Sequence, residues 1–380
     1  MGPSISSDMD PLNPQEAPAT AGRRLLTLVH ISDLHFGHPP AEEGGAPPAD
    51  LRRHFKMFDG LLGHHFPALD HLTTYMKLLR LQETDPAPIV VLTGDLTACG
   101  RTEEFKRAKD FVGSSYMVGA NPIGLNEADF STRTIPGNHD NWPGTGEILG
   151  PRTEAFKTLF GMPMTMFERT LASGHQFQLF GIDSDADVEE VSWDRFLARG
   201  SFESEVERLD QANIPAPTGN QIRALLLHHS PVHLSMMTVL EARTKSLHAL
   251  DDWMAKSGVS VILTGHLHDA LGHVRSVSDR GKTWDLLEAR CGTTTQLDRA
   301  TSKWKGKGTW NADRLPVNSL LVHRLMEYDH EIRWEIEFVE RLHDGFMSRK
   351  PLPGLARQSI VVWSANPVPP RSSSRPQPRA

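Results

Sequence analysis

The chain is poor in cysteine, holding only Cys99 and Cys291 among its 380 residues. Two thiols cannot build a disulfide framework, and these two lack the clustered spacing of a zinc ribbon, so a reducing, cytoplasmic setting is expected. Excess positive charge is lacking too: 40 Lys plus Arg face 47 Asp plus Glu, a formal net charge of -7. No global basic field draws in nucleic acid or an anionic membrane, and no basic stripe with interleaved aromatics is present. No apolar run approaches the roughly 18 residues needed to cross a bilayer. Internal repeats are absent. What is abundant is histidine, nineteen in all, several in tight groups.

The organisation follows from composition. Residues 1–22 are rich in Pro, Ser and Ala and read as a disordered leader, and residues 346–380, ending in PVPPRSSSRPQPRA, read as a disordered tail. Residues 23–345 between them read as one catalytic domain, with an insertion loop over 37–65 that begins GHPPAEEGGAPPAD. Short apolar runs such as LLTLVHISD, PIVVLTGD, IRALLLHH and SVILTGH read as buried strands. Segments such as HLTTYMKLLRLQ, TEEFKRAKDFV and LHALDDWMAKS carry apolar residues at helical spacing. Strand and helix in alternation give the α/β class. After residue 270 the spacing changes to two, as in HEIRWEIEFVERL, which predicts an antiparallel pair closing a second sheet.

Five polar clusters end apolar runs, where ligands bind in an open α/β sheet. They are Asp33-Leu34-His35, Gly94-Asp95, Gly137-Asn138-His139-Asp140, His228-His229 and Gly265-His266-Leu267-His268. In the first and last, one residue separates the two polar residues, so extended backbone would point both side chains to one side. The donors are two carboxylates, four imidazoles and an amide oxygen. Such a mixture suits Mn, Fe, Zn or Co better than Mg or Ca. Seven protein ligands are too many for one such ion and suit two sharing a carboxylate. Two divalent cations, two carboxylates and one bridging hydroxide sum to about +1, so the site would attract a phosphate on an acidic chain.

With these motifs in this order, the sequence resembles the calcineurin-like metallophosphoesterase superfamily. SDLHFG and LTGDLT are similar to its bacterial class III cyclic-nucleotide phosphodiesterase branch. The resemblance covers residues 25–340 and implies a four-layer αββα sandwich with a dinuclear site at the sheet ends. It implies one divalent metal on Asp33, His35, Asp95 and His268, and a second on Asp95, Asn138, His228 and His266. His139 then takes the family's role of binding phosphate and protonating the leaving oxygen, with Asn138 beside it. The implied reaction is in-line attack on phosphorus by a metal-bridging hydroxide, most naturally on a small phosphodiester such as a cyclic nucleotide. A phosphomonoesterase, a nucleotide pyrophosphohydrolase and an inactive scaffold of the same fold are the alternatives. The family's HHPP reads HHSP here, which leaves His229 as the alternative to His228.

Other residues have two readings each. Asp183 in FGIDSD is either a further metal carboxylate or a strand-end support, and Asp140 orients either backbone or His139. Arg101 either hydrogen-bonds phosphate or is a solvated first-turn arginine of a helix starting at Thr102-Glu103-Glu104, and Cys99 is either a plain buried thiol or an oxidation-sensitive one. Trp142 is a candidate to stack on a nucleobase. His54, His71, His175, His248, His323, His330 and His343 read as structural or surface residues, whereas His38, His64, His65, His233 and His273 stay open.

Overall fold

The computed structural model of the chain describes residues 22–37, 63–144, 149–161, 166–196, 198–212, 214–231, 241–279, 282–296, 318–342 and 345–365. In chain order the elements are β1 (Arg23–Ile31), α1 (Phe66–Gln82), β2 (Ile89–Thr93), α2 (Thr102–Gly113), β3 (Tyr116–Val118), β4 (Asn121–Ile123) and β5 (Thr134–Ile135). There follow α3 (Ala155–Phe160), β6 (Phe167–Thr170), β7 (Gln176–Ile182), α4 (Trp193–Phe196), α5 (Glu203–Gln211), β8 (Gln221–Leu227), α6 (Thr244–Ser257) and β9 (Val261–Thr264). The chain closes with β10 (Leu271–Asp279), β11 (Lys282–Arg290), β12 (Ser319–Tyr328), β13 (Glu331–Leu342), β14 (Gly345–Lys350) and β15 (Ser359–Ser364).

Two mixed sheets result. One runs β14-β13-β12-β1-β2-β5 with β15 also paired to β13, and the other runs β10-β11-β9-β8-β7-β6. Their centres are parallel: β1, β2 and β5 in the first sheet, and β7, β8, β9 and β11 in the second. Strands buried on both faces need continuous apolar runs, which is how β1 and β8 read.

Alternation divides each strand between two cores. In the first sheet Val29, Ile31, Val90, Leu92, Leu320 and Val322 pack with Leu69, Leu72 and Met76 of α1 and Phe105 and Phe111 of α2. The intervening Leu28, Val91 and Leu321 join Leu179, Leu226, Leu263 and Leu287 of the second sheet in another core. On the second sheet Phe180, Leu225 and Ile262 pack with Val206 and Leu209 of α5 and Leu250 and Trp253 of α6. Pro near the start of α1 and left-handed Gly258 after α6 mark helix ends as their residue types favour.

Two expectations are corrected. HEIRWEIEFVERL forms β13 of the first sheet, because it pairs with β12 from Tyr328↔Glu331 to Ser319↔Glu340 and β12 in turn pairs with β1. The hairpin at the edge of the second sheet is β10 with β11. The expected disordered tail does not begin at 346, since β14 and β15 both hydrogen-bond to β13. Phe346, Leu352 and Ile360 are buried, an apolar content that the tail's average composition hides. The leader over 1–21, residues 38–62 of the insertion loop, His38, His54, His233, His343 and residues 366–380 lie outside the described residues. No helix among the described residues is long and apolar enough to cross a membrane.

The core between the sheets sets a testable cost. Leu226 is fully buried in it, so Leu226→Ala is expected to destabilise the chain by about 3 kcal/mol, read as a lower urea midpoint.

Candidate metal centre

The five polar clusters follow β1, β2, β5, β8 and β9 and meet at the carboxyl ends of these strands. The backbone there is not extended. Asp33 (φ 53), His35 (φ 50), Asp95 (φ 50), His266 (φ 74) and His268 (φ 58) are all left-handed. The extended-backbone premise is therefore corrected: Asp33 and His35 do converge, 3.8 Å apart, but the turns rather than strand geometry aim them. Left-handed backbone costs a residue with a Cβ about 1–2 kcal/mol, and such strain collects at functional sites.

Hydrogen bonds hold the strained loops together. The backbone N–H groups of Asp33, His35 and Phe36 donate to the carbonyls of Gly94 (3.1 Å), Asp95 (3.0 Å) and Leu96 (2.8 Å). Asp140 accepts from the backbone N–H groups of Leu96 (3.0 Å), Thr97 (2.9 Å) and Gly137 (3.0 Å), tying the GNHD turn to the loop after β2. Thr293 Oγ1 donates to the Asp33 carbonyl (2.9 Å), Thr295 Oγ1 to that of Leu34 (2.7 Å), and Thr294 Oγ1 accepts from Ser32 N–H (3.1 Å). Sequence reasoning missed this clamp. Its one sequence signal is the run CGTTTQ after an apolar strand, and nothing local says what three hydroxyls would hold.

One set of side chains comprises Asp33, His35, Asp95 and His268, with one donor atom from each lying within 4.8 Å of all the others. His268 Nε2 is 3.1 Å from Asp33 Oδ1 and 3.2 Å from His35 Nε2, which is 3.8 Å from Asp33 Oδ1 and 3.9 Å from Asp95 Oδ2. A second group of side chains also reaches Asp95. His228 Nε2 lies 3.4 Å from Asp95 Oδ2 and 3.1 Å from Asn138 Oδ1, and His266 Nδ1 lies 3.2 Å from the same amide oxygen. Donors about 2.1 Å from a common ion in a tetrahedral shell sit ~3.4 Å apart. The first set matches that spacing, so a divalent ion fits among Asp33, His35, Asp95 and His268.

Ring partners decide which nitrogens face the centre. His228 Nδ1 donates to the Thr93 carbonyl (2.6 Å), which leaves Nε2 toward Asp95. His139 Nδ1 donates to the Ala98 carbonyl (2.8 Å), and its Nε2 is 3.9 Å from Asp95 Oδ2. His229 is engaged elsewhere, since Nε2 donates to the Ala198 carbonyl (3.0 Å) and Nδ1 accepts from Ser184 Oγ (2.7 Å).

Electrostatics agree. Burial alone would raise the Asp95 carboxyl, but His228 and His139 outweigh it and hold the group well below the usual carboxylate range. Burial, reinforced by the charge of His139, pushes His35 down to about 3, and burial lowers His266 as well, so both rings present lone pairs. Burial opposes charge on His228, yet the Asp95 carboxylate prevails and raises it to about 10. The proton held there is one that a bound cation would displace.

The sequence pattern of the calcineurin-like phosphoesterase family matches residues 26–270. The chain belongs to that family. No curated protein matches it in sequence. Among solved structures, GAP50, the anchor in the inner membrane complex of Plasmodium, is similar with a TM-score of 0.42 at 11% identity, covering 88% of this chain and 91% of that one. The purple acid phosphatase PPD1 from yellow lupin (Lupinus luteus) seeds is similar with a TM-score of 0.45 at 13% identity, covering 83% of this chain and 51% of that one. A predicted phosphoesterase from Streptococcus pneumoniae covers 90% of this chain and 98% of its own at a TM-score of 0.28 and 11% identity.

This calcineurin-like phosphoesterase is thus a metallophosphoesterase enzyme with a buried Asp/His cluster fit for metal. The remaining candidates take other places around it. Asp183 accepts from Asn141 Nδ2 (3.3 Å) and Asp185 N–H (3.0 Å), the supporting reading. Arg101 N–H and Cys99 N–H both donate to buried Glu104, at the start of α2. Trp142 is buried and stacks one face on His139 with ring centroids 3.8 Å apart. His64 lies buried among Phe36 and Tyr116.

Gly137 tests the packing of the centre. A Cβ there would sit within 2.5 Å of Asp95 N and closer still to its carboxylate. Gly137→Ala is expected to displace Asp95, costing about 1–3 kcal/mol in thermal unfolding and lowering metal content in elemental analysis.

Proposed function

We propose that this metallophosphoesterase is a phosphodiesterase holding two divalent transition-metal ions, within an αββα layering that the three core clusters support. One ion is held by Asp33, His35, Asp95 and His268, and the other by Asp95, Asn138, His228 and His266. The observation that carries this reading is the pair of donor sets sharing Asp95, with neighbouring atoms 3.1–3.9 Å apart. His228 is preferred to His229 because both His229 nitrogens are engaged elsewhere. When bound, the ions supply Lewis-acid polarisation of a phosphoryl oxygen and a water acidic enough to react near neutral pH.

The chain's own residues then do the following. Asn138 Nδ2 is buried without a hydrogen-bond partner among the described residues, which leaves a donor for a phosphoryl oxygen. His139, fixed by the Ala98 carbonyl on one edge and by Trp142 on its face, presents Nε2 to the centre. Burial lowers the ring's proton affinity, so Nε2 takes up a proton as the phosphate anion binds beside it and then passes that proton to the departing oxygen. Removal of water from the buried carboxylates and imidazoles strengthens each of these interactions.

A diester is favoured over a monoester by charge. The eight converging side chains include no lysine or arginine, and a local charge of about +1 matches a phosphodiester's single negative charge better than a monoester's two. SDLHFG and LTGDLT support the cyclic-nucleotide branch of the family. The net charge of -7 favours a small ester over nucleic acid, and two buried free cysteines favour a cytoplasmic setting.

The decisive assay compares bis(p-nitrophenyl) phosphate with p-nitrophenyl phosphate in the presence of Mn²⁺. Faster turnover of the diester is expected, and faster turnover of the monoester would refute the substrate class. Asp95→Asn should lower kcat/KM on the order of a thousandfold and release metal. His139→Ala should keep both ions yet reduce kcat by about 10²–10⁴. Loss of one ion on that substitution would make His139 a ligand instead.

A further inference from the structure

Behind the metal centre the first sheet contains a line of buried polar side chains on four adjacent strands. Trp334 lies on β13, His323 on β12, His30 on β1 and Thr93 at the end of β2. All four are buried, with exposures of 0 or 1%. Their contacts run in sequence: Trp334 Nε1 to His323 Nδ1 (3.0 Å), His323 Nε2 to His30 Nδ1 (3.4 Å), and His30 Nε2 to Thr93 Oγ1 (2.9 Å). From Thr93 the line continues through its carbonyl to His228 Nδ1 (2.6 Å).

Chemistry gives this line one direction. An indole N–H can only donate, so His323 Nδ1 must accept and hold a lone pair. A neutral imidazole carries its proton on the other nitrogen, so His323 Nε2 donates to His30 Nδ1. By the same step His30 Nε2 donates to the Thr93 hydroxyl. Burial keeps both rings neutral, lowering His30 well below its usual range and His323 to about 3. A protonated ring in either place would set two donors against each other.

Thr93 is where this order matters. Its side chain is held by His30, while its carbonyl accepts from His228 Nδ1–H and from Ser32 Oγ (3.4 Å). The next residue is left-handed Gly94, followed by Asp95. Thr93 therefore fixes the spacing between Asp95 and the ring of His228.

We infer that Trp334, His323 and His30 are positioning residues, forming a one-way hydrogen-bond relay that locks Thr93, whose carbonyl orients the ring of His228. The inference rests on the proposed role of His228 as a ligand. It adds a function for a tryptophan and a histidine in strands that lie beyond residues 26–270, the span matched by the family pattern.

Long-range nitrogen–proton NMR on metal-free protein labelled at the histidine nitrogens reads the relay directly. Both His323 and His30 are expected to be neutral and protonated at Nε2, and a proton on Nδ1 of either overturns the relay. The second measurement is calorimetric titration of the full chain with Mn²⁺ alone. Trp334→Phe removes the initiating N–H and should weaken one of the two Mn²⁺ affinities by about three- to tenfold, below the ten- to hundredfold typical of a direct outer partner. The other affinity should stay unchanged. His323→Gln, whose amide can accept from Trp334 and donate to His30, should retain wild-type affinity at both sites. If wild type binds two ions and Trp334→Phe binds both as tightly, the relay is wrong while the ligand assignment stands. Equal weakening of both sites overturns it too, since that marks general loosening. If wild type binds no Mn²⁺, the metal-site reading fails and the relay falls with it.

Discussion

A buried carboxylate, Asp95, constrains everything around it. Asp95 is 1% exposed, and an ion so placed is tolerated only when surrounding groups replace the water it has lost. Replacements come from several segments at once. The His139 backbone N–H donates to Oδ1 (2.9 Å), and His228, His35 and His139 stand 3.4–3.9 Å from Oδ2. These residues span more than a hundred positions of sequence, so the loops after β1, β2, β5 and β8 must meet at one point. That requirement accounts for the glycine at 137, where any side chain would press on Asp95, and for the left-handed backbone at five of the converging side chains.

Strained turns need support from rigid neighbours, and the chain supplies it from its later half. Thr293, Thr294 and Thr295 grip the Ser32–Leu34 loop, while β12 pairs with β1 along most of its length. The two strands that carry Asp33 and Asp95 are adjacent and parallel, with β1 flanked on its other side by β12. Segments outside the family's matched span therefore brace the very loops inside it that carry the polar clusters.

The imidazoles divide by their partners rather than by their sequence context. His139 and His228 each donate through Nδ1 to a backbone carbonyl, leaving Nε2 for the centre. His229 gives both nitrogens to Ser184 and Ala198. His30 and His323 do the same within the first sheet, with the tryptophan indole fixing the direction. A backbone carbonyl or an indole N–H, each able to act in only one sense, settles the tautomer in these cases.

The sequence by itself determined the α/β class and the members of the polar clusters, because those signals are local: apolar runs, strand-end glycines, and DxH, GNHD and GHLH spacing. The Arg101 helix start and the buried Cys99 were legible for the same reason. Tertiary structure alone showed that both ring nitrogens of His229 are engaged by hydroxyl and carbonyl groups 45 and 31 positions away, while His228 Nε2 faces Asp95. It also decided the stacking of Trp142 on His139 and the grip of three threonines on a loop some 260 residues earlier. The extended-backbone reading of the DxH and HxH pairs failed because φ in a turn is set by the loop it must hydrogen-bond to. The tail reading failed because a six-residue strand needs only a neighbouring edge and a few apolar side chains, which composition averaged over 35 positions cannot register. Hydrogen bonds between distant segments leave no periodic trace along a chain, so what they settle is read only once the chain has folded.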